Sequence, residues 1–121
     1  MKEYEATVTK EFCFDAAHKL EDISGKCESL HGHTWKVQIT LKGRINENGI
    51  IYDFTKMKAV IDEHVKKHLD HKYLNEIIPQ PTAENIALWI YHRLENLLPG
   101  IYKIRVYESP QSYATIKFNQ L

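Results

Sequence analysis

Two stretches of this chain alternate apolar and polar side chains so regularly that each reads as a half-buried β-strand. In residues 4–17, Ala6, Val8, Phe12, Phe14 and Ala16 share one parity. In residues 33–43, Trp35, Val37, Ile39 and Leu41 share one parity, while Thr34, Lys36, Gln38, Thr40 and Lys42 take the other. Side chains at i and i+2 of a strand point to the same face, so each stretch has a face that must be covered. His18 continues the apolar parity of the first strand, and His31 and His33 that of the second. An imidazole buried without a partner costs about 1–3 kcal/mol, and one ion can satisfy all three rings. A lone core histidine is ordinarily satisfied by a hydrogen bond; three converging on one face favour ligation. A bulge in either strand would flip the parity and break the convergence.

The remaining sequence supplies the cover. A loop of about a dozen residues containing Cys27 joins the two strands, and Asn46 to Gly49 forms a turn. From Phe54 the spacing becomes helical through Met57, Val60, Ile61 and Val65, with Asp53 or Thr55 as cap and an end near His68–His71. Thr82 caps a second helix carrying Ile86, Trp89, Ile90, Leu94 and Leu97, stopped by Pro99-Gly100. Residues 101–109 and 113–120 read as a hairpin around Ser109-Pro110. The order ββααββ predicts one α+β domain over residues 1–121, an antiparallel sheet backed by two helices. The exposed sheet edges favour self-association. Lys+Arg and Asp+Glu both total 16, so no overall field draws the chain to nucleic acid or an anionic membrane. No apolar run reaches the length of a membrane span, and the polar start and two unpaired-looking cysteines, Cys13 and Cys27, fit a reduced, cytoplasmic protein.

Zinc suits the three imidazoles: three protein ligands with one open position is its catalytic arrangement, although ligand type alone leaves copper, nickel and iron(II) open. Cys27 has three readings. It is a fourth ligand that closes the site, a thiol whose pKa a nearby cation lowers until it serves as a base, or an inert buried group. The polar loop around it favours the base. Asp70-His71 pairs a carboxylate with an imidazole and is suited to proton transfer, against the plainer reading of a solvated helix end. His64 and His68 lie four apart but lack the glutamate of a zincin motif, and are read as solvent-facing. Glu108 shares parity with Ile104 and Val106, which puts a carboxylate on the core face at a strand end. There it could bind a planar pair of N–H donors. Glu84, in the first turn of the second helix, is explained by the helix dipole. Cys13 is assigned no role.

Phe14-Asp15-Ala16-Ala17-His18, Cys27-x-x-x-His31-Gly32-His33, Leu69-Asp70-His71-x-x-Leu74-Asn75, Pro81-Thr82-x-Glu84-Asn85 and Val106-Tyr107-Glu108 occur in this order. Together they resemble the 6-pyruvoyltetrahydropterin synthase family, and most closely its bacterial branch, the 6-carboxy-5,6,7,8-tetrahydropterin synthases of queuosine biosynthesis. The resemblance implies the tunnelling fold (T-fold), with subunits joining their sheets into a barrel, as a hexamer, and active sites between subunits. It implies zinc on His18, His31 and His33, Cys27 as base, Asp70 and His71 donated by a neighbouring subunit, and Glu108 gripping the pterin, with Thr82 and Glu84 as lesser substrate contacts. The implied reaction converts 7,8-dihydroneopterin triphosphate to 6-carboxytetrahydropterin, releasing acetaldehyde and triphosphate; Lys19, Lys26 and Lys72 are candidates for the triphosphate. Two other readings stay open: formation of 6-pyruvoyltetrahydropterin or aldol cleavage of dihydroneopterin, and a non-catalytic, zinc-stabilised binding module with Cys27 as fourth ligand.

Overall fold

The alternating stretches pair with each other over their full length. A computed structural model describes residues 4–21 and 30–118, with His31 defined in its backbone alone. Strand β1 (Glu5–His18) lies antiparallel to β2 (His31–Arg44) in an unbroken register from Glu5 opposite Arg44 to His18 opposite His31. No bulge interrupts this ladder, so the parity of both strands survives to the histidines. The apolar face of β2 is sealed, with Trp35, Val37, Ile39 and Leu41 fully buried. On β1 the burial fades toward the start: Phe14 and Ala16 are buried, whereas Val8 and Phe12 are half-buried at the margin of the core.

Helix α1 (Phe54–Ile61) begins at Asp53, whose carboxylate accepts the Thr55 N–H at 2.7 Å. It runs without a break into a wide π turn (Asp62–Lys66) and a last turn (Lys67–Leu69). The buried residues along this rod are Met57, Ile61, Val65 and Leu69, spaced every four positions. An α-helix of 3.6 residues per turn would rotate such a series progressively off one face. The wider π turn slows that drift and keeps Val65 and Leu69 over the sheet. His64 and His68, expected in solvent, are half-buried.

After the rod come β3 (Lys72–Tyr73) and a 3₁₀ turn (Leu74–Glu76), then α2 (Ala83–Leu94), β4 (Ile101–Ser109) and β5 (Ser112–Lys117). The sheet order is β3-β1-β2-β4-β5. Four of these strands form the expected antiparallel sheet. The expectation of a wholly antiparallel sheet needs correction, because β3 joins β1 in parallel through Ala16–Lys72 and Ala17–Tyr73. Two residues are too short for a hydrophobic period to reveal. Both helical rods cover one face, where Ile86, Ile90 and Leu94 of α2 join Ile104 and Val106 of β4 in the core. No helix among the described residues is long and apolar enough to cross a membrane.

The turn from α2 into β4 hangs on one glycine. Gly100 has φ +65°, and a Cβ placed on it would clash with the Lys42 carbonyl oxygen, while the Lys42 N–H donates to the Gly100 carbonyl at 2.8 Å. A left-handed backbone costs a residue with a side chain roughly 1–2 kcal/mol, and relieving the clash adds about 1–3 kcal/mol. Gly100→Ala is therefore expected to lower Tm by at least ~8 °C in thermal denaturation. A variant melting within ~2 °C of the parent would contradict this account of the turn.

Candidate metal centre and adjoining groove

The register of β1 and β2 is what gathers the imidazoles. His18 lies opposite His31, and His33 opposite Ala16, so alternation turns His18 and His33 onto the helix-covered face. Their rings meet edge to face with centroids 5.1 Å apart, both standing on the buried Trp35 indole at 4.9 and 5.4 Å. The indole N–H is directed to the Ala16 carbonyl at 3.3 Å. His18 is fully buried, and its Nδ1 lies 2.9 Å from the Pro81 carbonyl oxygen. A carbonyl can only accept, so Nδ1 carries a proton and Nε2 is the ring nitrogen left to face the cluster. A backbone carbonyl fixing the tautomer in this way is a recurrent support for a ligating histidine.

Glu108 completes the group. It follows Val106 on β4, where the pairing with β5 shifts between Tyr107 and Ser109. Its carboxylate reaches back to lie 3.9 Å from His18 Nε2 and 3.6 Å from His33 Nε2. One donor atom from each of the three residues lies within 4.8 Å of the others. Donors bound at about 2.0–2.2 Å around a tetrahedral ion are about 3.3–3.6 Å apart. Two imidazoles and a carboxylate are a donor set suited to a divalent cation such as zinc, and their separations are at or somewhat above those around a bound ion. The sequence-based triad is thus gathered in part: His18 and His33 meet, and the backbone of His31 is placed opposite His18. Cys27 and Lys26 lie outside the described residues. Glu108, expected to grip a ligand, stands directly beside the imidazoles.

The same carboxylate lines a groove of about 270 Å³ together with Leu20, Thr82, Glu84, Ser112 and Tyr113. The three residues expected to contact substrate, Thr82, Glu84 and Glu108, therefore share one opening. Thr82 caps α2, its hydroxyl oxygen accepting the Asn85 N–H at 3.0 Å. Its hydroxyl is thus already used in holding the helix end. Lys19 is half-buried and Lys72 exposed.

Asp70 and His71 form a separate group at the β1 edge. The Asp15 N–H donates to Asp70 Oδ1 at 3.0 Å, and the His71 N–H donates to the Asp15 carbonyl at 2.7 Å. His71 Nε2 lies 3.6 Å from Asp70 Oδ2, with the imidazole 78% exposed. His71 also holds φ +59°, a left-handed conformation that costs a non-glycine residue roughly 1–2 kcal/mol. A contact so exposed contributes only ~0–1 kcal/mol, so the hold on this conformation comes chiefly from the hydrogen bond of the His71 N–H to the Asp15 carbonyl. Strained, exposed groups of this kind are concentrated at functional positions.

Spacing gave no sign of the side-chain amides that hold the exit of β1. Asn75 accepts the Lys19 N–H at 2.9 Å and donates to the Lys19 carbonyl at 2.8 Å. Gln80 does the same for Glu21, at 3.0 and 2.6 Å. A primary amide presents one donor and one acceptor side by side, as a peptide does, so the two residues imitate a neighbouring strand. Asn75 was legible only as part of a motif, and Gln80, at φ +49°, carried no signal.

A mixed sheet with one helical layer carries at its end a histidine-carboxylate cluster that could hold a metal ion, with a groove beside it. The family model for 6-pyruvoyl tetrahydropterin synthase matches residues 7–119, and the chain belongs to that family. It is 42% identical over 115 residues to a 6-carboxy-5,6,7,8-tetrahydropterin synthase from Synechocystis, covering 88% of this chain and 89% of that protein. It is 47% identical over 94 residues to a dihydroneopterin monophosphate aldolase from Pyrococcus furiosus, covering 76% of this chain and 77% of that one. Its fold superimposes on the Caenorhabditis elegans 6-pyruvoyl tetrahydropterin synthase with TM-score 0.83 and 23% identity, over 96% of this chain and 97% of that one. The T-fold expectation is thereby borne out, and the chain is a pterin-processing lyase of this family.

One divalent cation per chain is expected by elemental analysis, with His33→Ala losing most of it. Because the ion binds the folded state alone, chelation should also lower Tm in the parent and leave His33→Ala almost unmoved. Equal metal content in both proteins would dismiss the cluster as a ligand set.

Proposed function

We propose that the protein is a zinc-dependent 6-carboxy-5,6,7,8-tetrahydropterin synthase. On this reading it converts 7,8-dihydroneopterin triphosphate to 6-carboxytetrahydropterin with release of acetaldehyde and triphosphate, in the cytoplasm and in the service of queuosine synthesis. The observation that carries it is the Glu108 carboxylate, which belongs both to the imidazole cluster and to the groove. A pterin held there by its aminopyrimidinone edge would have its side chain within reach of the imidazoles. His18, His31 and His33 are the proposed zinc ligands. Zinc, when bound, would supply the Lewis acidity that makes side-chain hydroxyls of the substrate easier to deprotonate.

The remaining work falls to the chain's own groups. Pro81 holds the His18 ring so that Nε2 faces the cluster. Glu108 offers two carboxylate oxygens to paired N–H donors and thereby sets the angle of the ring. Cys27 is the proposed base, taking a proton from the substrate side chain. Asp70 and His71 are the proposed second proton-transfer group, reaching the site of a neighbouring subunit in a hexamer, which accords with an imidazole 78% exposed on its own protomer. Glu84 and Thr82 line the groove wall as secondary contacts. The identity to an aldolase supports one other reading, cleavage of a dihydroneopterin phosphate.

Mass spectrometry of the zinc-loaded protein with each substrate separates the two. The expected products are 6-carboxytetrahydropterin and acetaldehyde from the triphosphate; a 6-hydroxymethyl dihydropterin with a two-carbon hydroxyaldehyde fragment would establish the aldolase reading instead. Cys27→Ala should keep its zinc and its fold yet turn over at least ~10²-fold more slowly, whereas Cys13→Ala should leave turnover unchanged. Loss of zinc with the Cys27 thiol would make that residue a ligand. Glu108→Gln places an amide donor against the ring's own donors, so pterin affinity should fall about 10- to 150-fold in calorimetric titration with metal content intact. Unchanged affinity with reduced metal content would recast Glu108 as a ligand.

A further inference from the structure

Asp15 lies three residues before His18 on β1, an odd spacing that turns the two side chains to opposite faces of the sheet. Its two backbone groups both serve the Asp70–His71 corner: the N–H holds the Asp70 carboxylate and the carbonyl holds the His71 N–H. Its carboxylate is exposed and makes a cross-strand contact. Oδ1 accepts the Thr34 hydroxyl from β2 at 2.6 Å, which fixes the rotamer of an otherwise exposed side chain. One oxygen of Asp15, one of Asp70 and one ring nitrogen of His71 lie within 4.8 Å of one another. The His71 ring therefore faces two carboxylates, although only Asp70 adjoins it in sequence.

We propose that Asp15, braced by Thr34, is a positioning residue for the Asp70–His71 pair. The proposal rests on the proton-transfer role given to that pair above. The left-handed backbone at His71 needs an external hold to persist, and the Asp15 carbonyl supplies it. The Asp15 carboxylate then limits the directions in which an exposed imidazole can turn, so that the ring leaves the protomer along a defined path. Thr34 sits next to His33 on β2, and Asp15 shares β1 with His18. The same two paired strands thus present metal-type ligands on one face and, on the other, the brace for the proton-transfer pair.

The test is a cycle on the full-length, zinc-loaded protein, with turnover of dihydroneopterin triphosphate, or of the phosphate if cleavage proves to be the reaction. Asp15→Asn keeps the shape and both backbone contacts while removing the charge. It should lower kcat about 10- to 100-fold, the worth of a partner that orients a functional histidine, with KM within about twofold and zinc content unchanged. In a His71→Ala background the same change should have almost no effect, because the residue acts through the ring that is gone. Thr34→Val should reproduce part of the loss and Thr34→Ser should restore it, which covers the case of an Asp15 variant that folds poorly. An Asp15→Asn enzyme with full kcat beside an impaired His71→Ala would overturn the positioning role and leave the pair's role standing. An equal loss in both backgrounds, or a rise in KM with kcat preserved, would also overturn it. Full turnover by His71→Ala would remove the pair from the reaction, and the proposal with it.

Discussion

Everything at the functional end of this molecule hangs on the register between β1 and β2. The ladder runs from Glu5 opposite Arg44 to His18 opposite His31 without a slip. A shift of one residue would turn Trp35, Val37, Ile39 and Leu41 out of the core and, with them, His33 away from His18. Four fully buried side chains on β2 penalise such a shift by about 1.5–3 kcal/mol each, which makes the register a consequence of ordinary burial. The polar cluster is therefore assembled by apolar residues. The histidines occupy the last positions of a pattern fixed chiefly by hydrophobic burial, to which their rings add contacts with Trp35.

That dependence explains which features could be read from the chain. His18 and His33 were legible because they extend a strict two-residue period to the strand ends. Asp53 and Thr82 were legible because a cap must precede a helical period, and Glu108 because parity with Ile104 and Val106 carries through to it. Other features have no period. β3 is two residues long, and its parallel partner is more than fifty positions earlier. The π turn at Asp62–Lys66 shows in sequence only as a spacing of four sustained slightly too long for an α-helix. Asn75, Gln80 and Pro81 act on residues 18–21 through side-chain amides and a carbonyl, bonds that bridge 56 to 63 positions. Such contacts depend on the folded path of the chain, and no local pattern encodes them. For Asp70 and His71 the residues were legible from a motif, but their attachment to Asp15 was not.

The two polar groups differ in surroundings, and the difference matters chemically. His18 and His33 stand on the buried Trp35 indole with Glu108 beside them, where the attraction of a bound cation for carboxylate would be stronger than in water. The His71 imidazole stands in solvent beside a half-buried Asp70, and there Coulomb attraction alone aligns groups weakly. Alignment there has to come from hydrogen bonds anchored in secondary structure, which is what the backbone of β1 provides.

The amides of Asn75 and Gln80 have an effect on recognition as well as on shape. They hold the Lys19 and Glu21 backbone on both donor and acceptor sides, just beyond a metal-type ligand and next to the groove-lining Leu20. A flexible chain end at this point would have to surrender its conformational freedom each time a ligand arrived, at about 1–2 kcal/mol per residue. Here that freedom is given up once, when the protein folds. Ligand capture at this wall of the groove can then proceed without an ordering penalty, so more of the interaction energy is expressed as affinity.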